Sequence, residues 1–155
     1  MQWCYAAIMA TAVELCTRDV DTANYDETAA EVARRMRDRQ VGTLVIVDDG
    51  RAVGIITDRD LVVRVLAPGL DAEKTRVSEV MTPSPTTARE DTPIVTALGY
   101  MREGRFRRLP ILGSDGHVVG MLALDDVLAV VADELTEIGT LLRREAPHRW
   151  LGRQT

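Results

Sequence analysis

Val53-Gly-Ile-Ile-Thr-Asp-Arg-Asp-Leu61 returns 66 residues later as Val119-Gly-Met-Leu-Ala-Leu-Asp-Asp-Val127. Each copy is a short apolar run with a glycine in second place, closed by acidic residues and followed by an apolar stretch, Leu61 to Leu66 or Val127 to Val131. A run of that length and β-branched content reads as a strand, and the stretch after the acids reads as a helix.

Working outward, each copy is preceded by a second apolar run, Thr43-Leu-Val-Ile-Val47 or Arg108-Leu-Pro-Ile-Leu112, and by a turn signal, Asp49-Gly50 or Asp115-Gly116, which predicts a hairpin. One residue is inserted at the second turn. Further out, Asp26 to Met36 falls on Asp91 to Met101; both are apolar at helical spacing, and an aspartate at the head of each predicts the helix start. The chain is an internal duplication of a β-α-β-β-α unit.

Ala67 to Thr75 reads as the connecting loop and Val77-Ser-Glu-Val-Met81 as a short helical lead into the second repeat, with Ala12 to Cys16 as its counterpart. Leu135, Ile138, Leu141 and Leu142 continue at helical spacing beyond Val131, predicting a longer final helix that ends near Pro147. The expected division is residues 12–68, residues 77–132 and a C-terminal helical extension, residues 133–155. A unit of about 60 residues buries too little surface to be comfortably stable alone. Two units packed sheet to sheet, with a shared core and pseudo-two-fold symmetry, make the expected fold an α+β sandwich.

Composition bounds the function. Of 155 residues, 46 % are hydrophobic and 28 % charged, which supports a packed core and excludes disorder. A net charge of -5 argues against general nucleic-acid binding, so any anion site must be local. Cys4 and Cys16 make no disulfide framework or metal-ligand spacing, which fits a reducing cytoplasm. The apolar stretch from Trp3 to Val13 is too short to cross a bilayer and lacks a basic leader, so neither a membrane partner nor a signal peptide is expected. The repeat begins only after Met9, a candidate start of the working protein.

The motifs Val53 to Leu61, Arg107-Arg-Leu-Pro-Ile111 and Val80-Met-Thr-Pro83, in this order and with this repetition, resemble the CBS domain pair, or Bateman module, of the stand-alone bacterial type. The resemblance covers residues 12 to 132. It implies two clefts related by a pseudo-two-fold axis, in which AMP, ADP, ATP or S-adenosylmethionine commonly bind as regulatory ligands. It also implies that the aspartate ending the Gly-x-x-Thr-x-x-Asp segment holds ribose hydroxyls while basic residues of the other repeat meet phosphate.

Carried onto this chain, the first cleft takes Thr57 and Asp60 from one repeat and Arg107 and Arg108 from the other. A carboxylate accepts from two hydroxyls at once, and guanidinium groups pair with phosphate oxygens. Thr57 and Asp60 equally suit a helix cap, and the arginine run Arg102, Arg105, Arg107 and Arg108 equally suits a charged strand edge. Val20, Val41 and Ile55 are the candidates for an apolar adenine slot or for plain core. The second cleft keeps Asp126 but has Ala123 in place of the threonine; Arg59 and Thr43 are its other candidates, and it is expected to be the weaker site.

No nucleophile with a base, metal cluster or perturbed acid-base pair stands out; the acidic clusters Asp58 with Asp60 and Asp125 with Asp126 suit helix starts. His117 reads as a turn residue and His148 as a tail residue. The expected protein is no enzyme and needs no metal or cofactor. It is a nucleotide-binding regulatory or energy-sensing module, or alternatively a ligand-free dimerisation and protein-interaction module. A homodimer is expected, for which an apolar stripe of Leu61, Val65, Val127 and Val131 gives a physical basis, although the stripe equally suits internal packing between the repeats; a protein partner is expected that the sequence leaves unidentified. Oxidation sensing through Cys4 or Cys16 is the remaining option.

Overall fold

The computed structural model describes residues 10–145; Cys4, Met9, Pro147 and His148 lie outside the described residues. In chain order the elements are α1 (Ala12–Leu15), β1 (Thr22–Asn24), α2 (Ala29–Arg39), β2 (Thr43–Asp48), β3 (Arg51–Thr57) and α3 (Asp58–Leu61), which runs into a wider π-helical turn, Val62–Leu66. The second half supplies α4 (Val77–Val80), β4 (Thr82–Pro83), β5 (Ala88–Arg89), α5 (Ile94–Gly104), β6 (Arg108–Leu112), β7 (Val118–Ala123) and α6 (Leu124–Glu145).

The strands form two sheets, β1-β2-β3-β4 and β5-β6-β7. In each, the first strand runs parallel to the second and the second antiparallel to the third. The hairpins differ by the inserted residue. Asp49 and Gly50 sit at φ 47 and 74 and close a two-residue turn with both residues left-handed, the geometry that matches strand twist. The second hairpin instead uses a longer loop, Gly113 to His117, closed by the Gly113 amide donating to the His117 carbonyl at 2.9 Å.

Helix starts depart from the sequence reading. The N-cap of α2 is Thr28, not Asp26: the Glu31 amide donates to the Thr28 hydroxyl at 3.2 Å, and the Thr28 amide donates to the Glu31 carboxylate at 2.7 Å. The Thr28 amide and then the Thr28 hydroxyl, both donating to the Glu31 carboxylate, hold its carboxyl below its usual range. The N-cap of α5 is Pro93, and Asp91 instead pairs with Arg89 at 3.4 Å. At α2 the Thr28 hydroxyl accepts from a first-turn amide that an acid two residues upstream does not reach; Pro93 makes no side-chain cap bond. Both helices end on a left-handed residue, Gln40 or Arg105, at φ 55.

Each sheet buries its own core. Leu44, Ile46 and Ile56 pack with Val32 and Met36 in one; Leu109, Ile111 and Leu122 pack with Ala97 and Met101 in the other. The expected single shared core is therefore two cores. Because strand residues alternate faces, Val45 and Pro110 point away from their helices; both are fully buried, which puts the join between the units on those reverse faces.

The lead segments cross over. α1 packs in the second core through Ala12, and its amide donates to the Thr92 carbonyl at 2.8 Å; Thr17 bridges Met121 of β7. Reciprocally, Val77, Val80 and Met81 lie in the first core and β4 pairs with β3. The repeated glycine accommodates this crossing. A methyl on Gly120 would overlap Cys16 Sγ and approach its Cβ to 3.2 Å and the Thr17 carbonyl to 3.3 Å, and a methyl on Gly54 would overlap Met81 Sδ.

The predicted final helix is the outer part of one uninterrupted 22-residue helix, α6. The stripe expected at a dimer interface is mostly internal: Val65 and Val127 are buried in the two cores, and Leu61 packs against the first. Val131 is exposed, in the company of Leu128, Leu135, Ile138, Leu141 and Leu142.

Candidate functional site

The open ends of β3 and β7 each terminate in a residue that starts a helix, and each of these ends faces the other repeat across a hollow. The larger hollow has a volume of about 990 Å³ and is walled by Ile55, Thr57 and Asp60 on one side and by Arg105, Phe106, Arg107 and Arg108 on the other. The smaller, about 220 Å³, has Met121, Ala123 and Asp126 facing Gln40, Val41, Gly42 and Thr43. Pockets that take drug-sized ligands run from about 300 to 1,000 Å³, so only the larger hollow accommodates a nucleotide as it stands.

The structure brings Thr57, Asp60, Arg107, Arg108 and Ile55 together on the larger hollow. Arg59, expected at the smaller one, also lines the larger. Val20 and Val41 line the smaller hollow with Thr43 and Asp126, away from the first cleft to which they were assigned. The reason lies in the symmetry: each hollow draws its strand end from one repeat and the residues before the opposing strand from the other. Shifting Val20 and Val41 by the repeat length gives Pro85 and Phe106, and these do line the larger hollow. The duplication itself was the signal that would have found them. Phe106, the chain's one phenylalanine, lies over Gly104, where a Cβ would overlap its ring.

Locally, Thr57 and Asp60 form a closed capping box. The Thr57 hydroxyl donates to Asp60 Oδ2 at 2.8 Å, the Thr57 amide donates to the same oxygen at 2.9 Å, and the Asp60 amide donates to the Thr57 hydroxyl at 3.1 Å. Arg64 steadies Asp60 Oδ1 at 3.3 Å. The carboxylate is thereby fixed at the mouth of the hollow, with Oδ1 less committed than Oδ2. Among the described residues Arg107 is paired only with the exposed Asp125, at 3.0 Å; such surface pairs are weak and yield to a stronger anion.

The two hollows have opposite electrostatics. Four arginines, Arg59, Arg105, Arg107 and Arg108, stand against Asp58 and Asp60 in the larger. In the smaller, Arg108 faces Asp19, Asp21 and Asp126, although Arg39 binds Asp21 at 2.7 Å and Asp19 at 3.2 Å. A polyanion is favoured in the first and opposed in the second. Arg108 and Thr43 belong to both walls, and the Thr43 hydroxyl is buried without a partner among the described residues.

In the smaller hollow Asp126 Oδ2 accepts from the Ala123 amide at 3.0 Å, but there is no hydroxyl to complete the box. Ala123→Thr is therefore expected to stabilise the protein by about 1 kcal/mol. Thermal or urea unfolding checks this, and an unchanged midpoint would show that Asp126 cannot take the second bond. Cys16, against Gly120, has its thiol pushed up by burial, which suppresses the thiolate that oxidation chemistry needs.

Among the described residues no group of three or more His, Cys, Asp or Glu is placed to hold a metal, and no helix is long and apolar enough to cross a membrane.

The model of the CBS domain matches residues 12–67 and 77–133. Protein MK0525 of Methanopyrus kandleri is 36 % identical over 118 residues, 76 % of this chain and 60 % of that protein. The Arabidopsis thaliana CBS domain-containing protein CBSCBSPB5 is 36 % identical over 115 residues, 74 % of this chain but only 20 % of its own length. Among solved structures, Hypoxic Response Protein I, crystallised with two coordinated zinc ions, superposes with a TM-score of 0.71 at 30 % identity, covering 77 % of this chain and 98 % of that one. The CBS domain pair of MJ0100, in complex with 5-methylthioadenosine and S-adenosyl-L-methionine, gives 0.70 at 26 %, covering 79 % and 99 %.

Proposed function

Because the chain belongs to the CBS domain family, by a match that spans both repeats, we propose that it is a regulatory, non-catalytic module that binds an adenosine nucleotide in the larger hollow. Asp60 Oδ1 accepts from ribose hydroxyls, Arg107 and Arg108 neutralise phosphate with Arg59 and Arg105 in reach, and Ile55, Pro85 and Phe106 form the apolar surface for the base. The observation that carries the reading is the meeting, in one hollow of nucleotide size, of a fixed carboxylate from one repeat with a cluster of arginines from the other. The adenosine ligands in the MJ0100 complex support the ligand class.

Guanidinium groups hold phosphate through charge-assisted pairs and stack on flat rings, which favours AMP, ADP or ATP over the cationic S-adenosylmethionine. Ligand contacts made to both repeats favour one relative orientation of the two, and only that difference in affinity can signal to a partner protein. A soluble cytoplasmic homodimer completes the proposal. Isothermal titration with AMP, ADP, ATP and S-adenosylmethionine decides it. The expected result is saturable heat with a phosphate-bearing ligand, one site per chain; absence of heat with all four would leave a ligand-free interaction module as the reading.

A further inference from the structure

We propose that Gly104 is a positioning residue: it holds the Phe106 ring on the wall of the larger hollow, as a platform on which the flat base of the ligand stacks. The proposal rests on the nucleotide reading above and adds to it the residue that sets the ring in place. Gly104 and Phe106 both line the larger hollow, and the half-buried Phe106 also packs against the second core. The three atoms nearest to a Cβ built on Gly104 are all carbons of that ring, Cδ1 at 2.5 Å, Cζ at 3.0 Å and Cε1 closer still. Any side chain at this position would drive the ring from its place.

The first repeat supplies a control within the same chain. Its equivalent residues, 65 positions earlier, are Arg39, Gln40 and Val41. The backbone is alike in both: α2 and α5 end on a left-handed residue at φ 55, and the next amide donates back into the helix, Val41 to the Met36 carbonyl at 3.0 Å and Phe106 to the Met101 carbonyl at 3.2 Å. In this frame Arg39 carries a full side chain, bound to Asp19 and Asp21. The frame therefore tolerates a Cβ. In the second repeat the positive φ falls on Arg105, while the glycine stands one residue earlier in helical backbone, where alanine is the better residue. Conformation does not call for the glycine; the ring does. Where Val41 lines the smaller hollow, an aromatic ring lines the larger. Stacking of a base on such a ring strengthens binding about tenfold and tolerates any base, since every base has a π face.

Titration calorimetry of the full chain with AMP, ADP and ATP, and with ribose 5-phosphate as a base-free probe, tests the platform. Gly104→Ala and Phe106→Leu are each expected to weaken nucleotide binding about tenfold and to leave ribose 5-phosphate unchanged. The double variant, in which the obstructing ring is gone, is expected to bind no worse than either single one. Loss of nucleotide and ribose 5-phosphate affinity by the same factor would show a distorted hollow and overturn the proposal, as would single losses that multiply in the double variant. Nucleotide binding that Gly104→Ala or Phe106→Leu leaves unchanged would sink the platform alone. A wild-type protein that binds none of the three nucleotides would sink the nucleotide reading and the platform together.

Discussion

Asp60→Ala is expected to weaken nucleotide binding at least tenfold and to lower stability by about 1 kcal/mol. The first effect follows from losing a charged acceptor for sugar hydroxyls, worth roughly 1.5 to 3 kcal/mol. The second follows from opening the capping box, since both the Thr57 amide and its hydroxyl give up the Oδ2 acceptor. Titration calorimetry reads the first and urea unfolding the second. Asp126→Ala separates them: it releases the Ala123 amide at the other helix start and removes no lining residue of the larger hollow, touching it only through Arg108, which borders both, so nucleotide affinity should fall far less than in Asp60→Ala. Equal loss of affinity in the two variants would show that the aspartates act on the fold and not on a ligand.

Gly120→Ala should cost about 1 to 3 kcal/mol, the range for forcing one methyl into a filled site. The added carbon overlaps Cys16 Sγ, and its retreat is limited because Cys16 Cβ and the Thr17 carbonyl already lie within 3.3 Å of it. Gly54→Ala should cost less, since its principal obstacle is the far end of the flexible Met81 side chain. Gly99→Ala is the contrast. It lies inside α5 with nothing within 4 Å of its would-be Cβ, so the better helix former should stabilise the protein by about 0.5 to 1 kcal/mol. Urea midpoints order the three variants, and a neutral Gly120→Ala would mean that the lead segment can shift away.

Much of the architecture was legible because it rests on local rules. The continuous apolar runs of β2 and β6, the Asp-Gly turns and the recurrence of Val-Gly predict the hairpins wherever they pack. The grouping of Thr57 and Asp60 with Arg107 and Arg108 was legible as well, through the resemblance. What stayed hidden depends on contacts distant in sequence. Ala12 and Val77 look alike as short helical leads, and nothing in either says that it joins the other repeat's core. Val65 and Val127 read equally as a dimer stripe or as internal packing, because helical spacing shows that they share a face but not which side that face turns to. Val20 and Val41 were assigned to the wrong hollow for a related reason: the strand end and the residues opposite it come from different repeats, and the exchange becomes visible only once the two sheets are set against each other.

The crossing of the leads also governs how the halves can move. Thr17 is clamped to β7 and Thr82 to β3, so drawing the halves apart would mean unzipping a sheet edge in each of them at once. Tilting about these two straps disturbs neither edge. An occupant of the larger hollow therefore has a pivot to act on rather than a jaw to open, and its message to a neighbour is an angle.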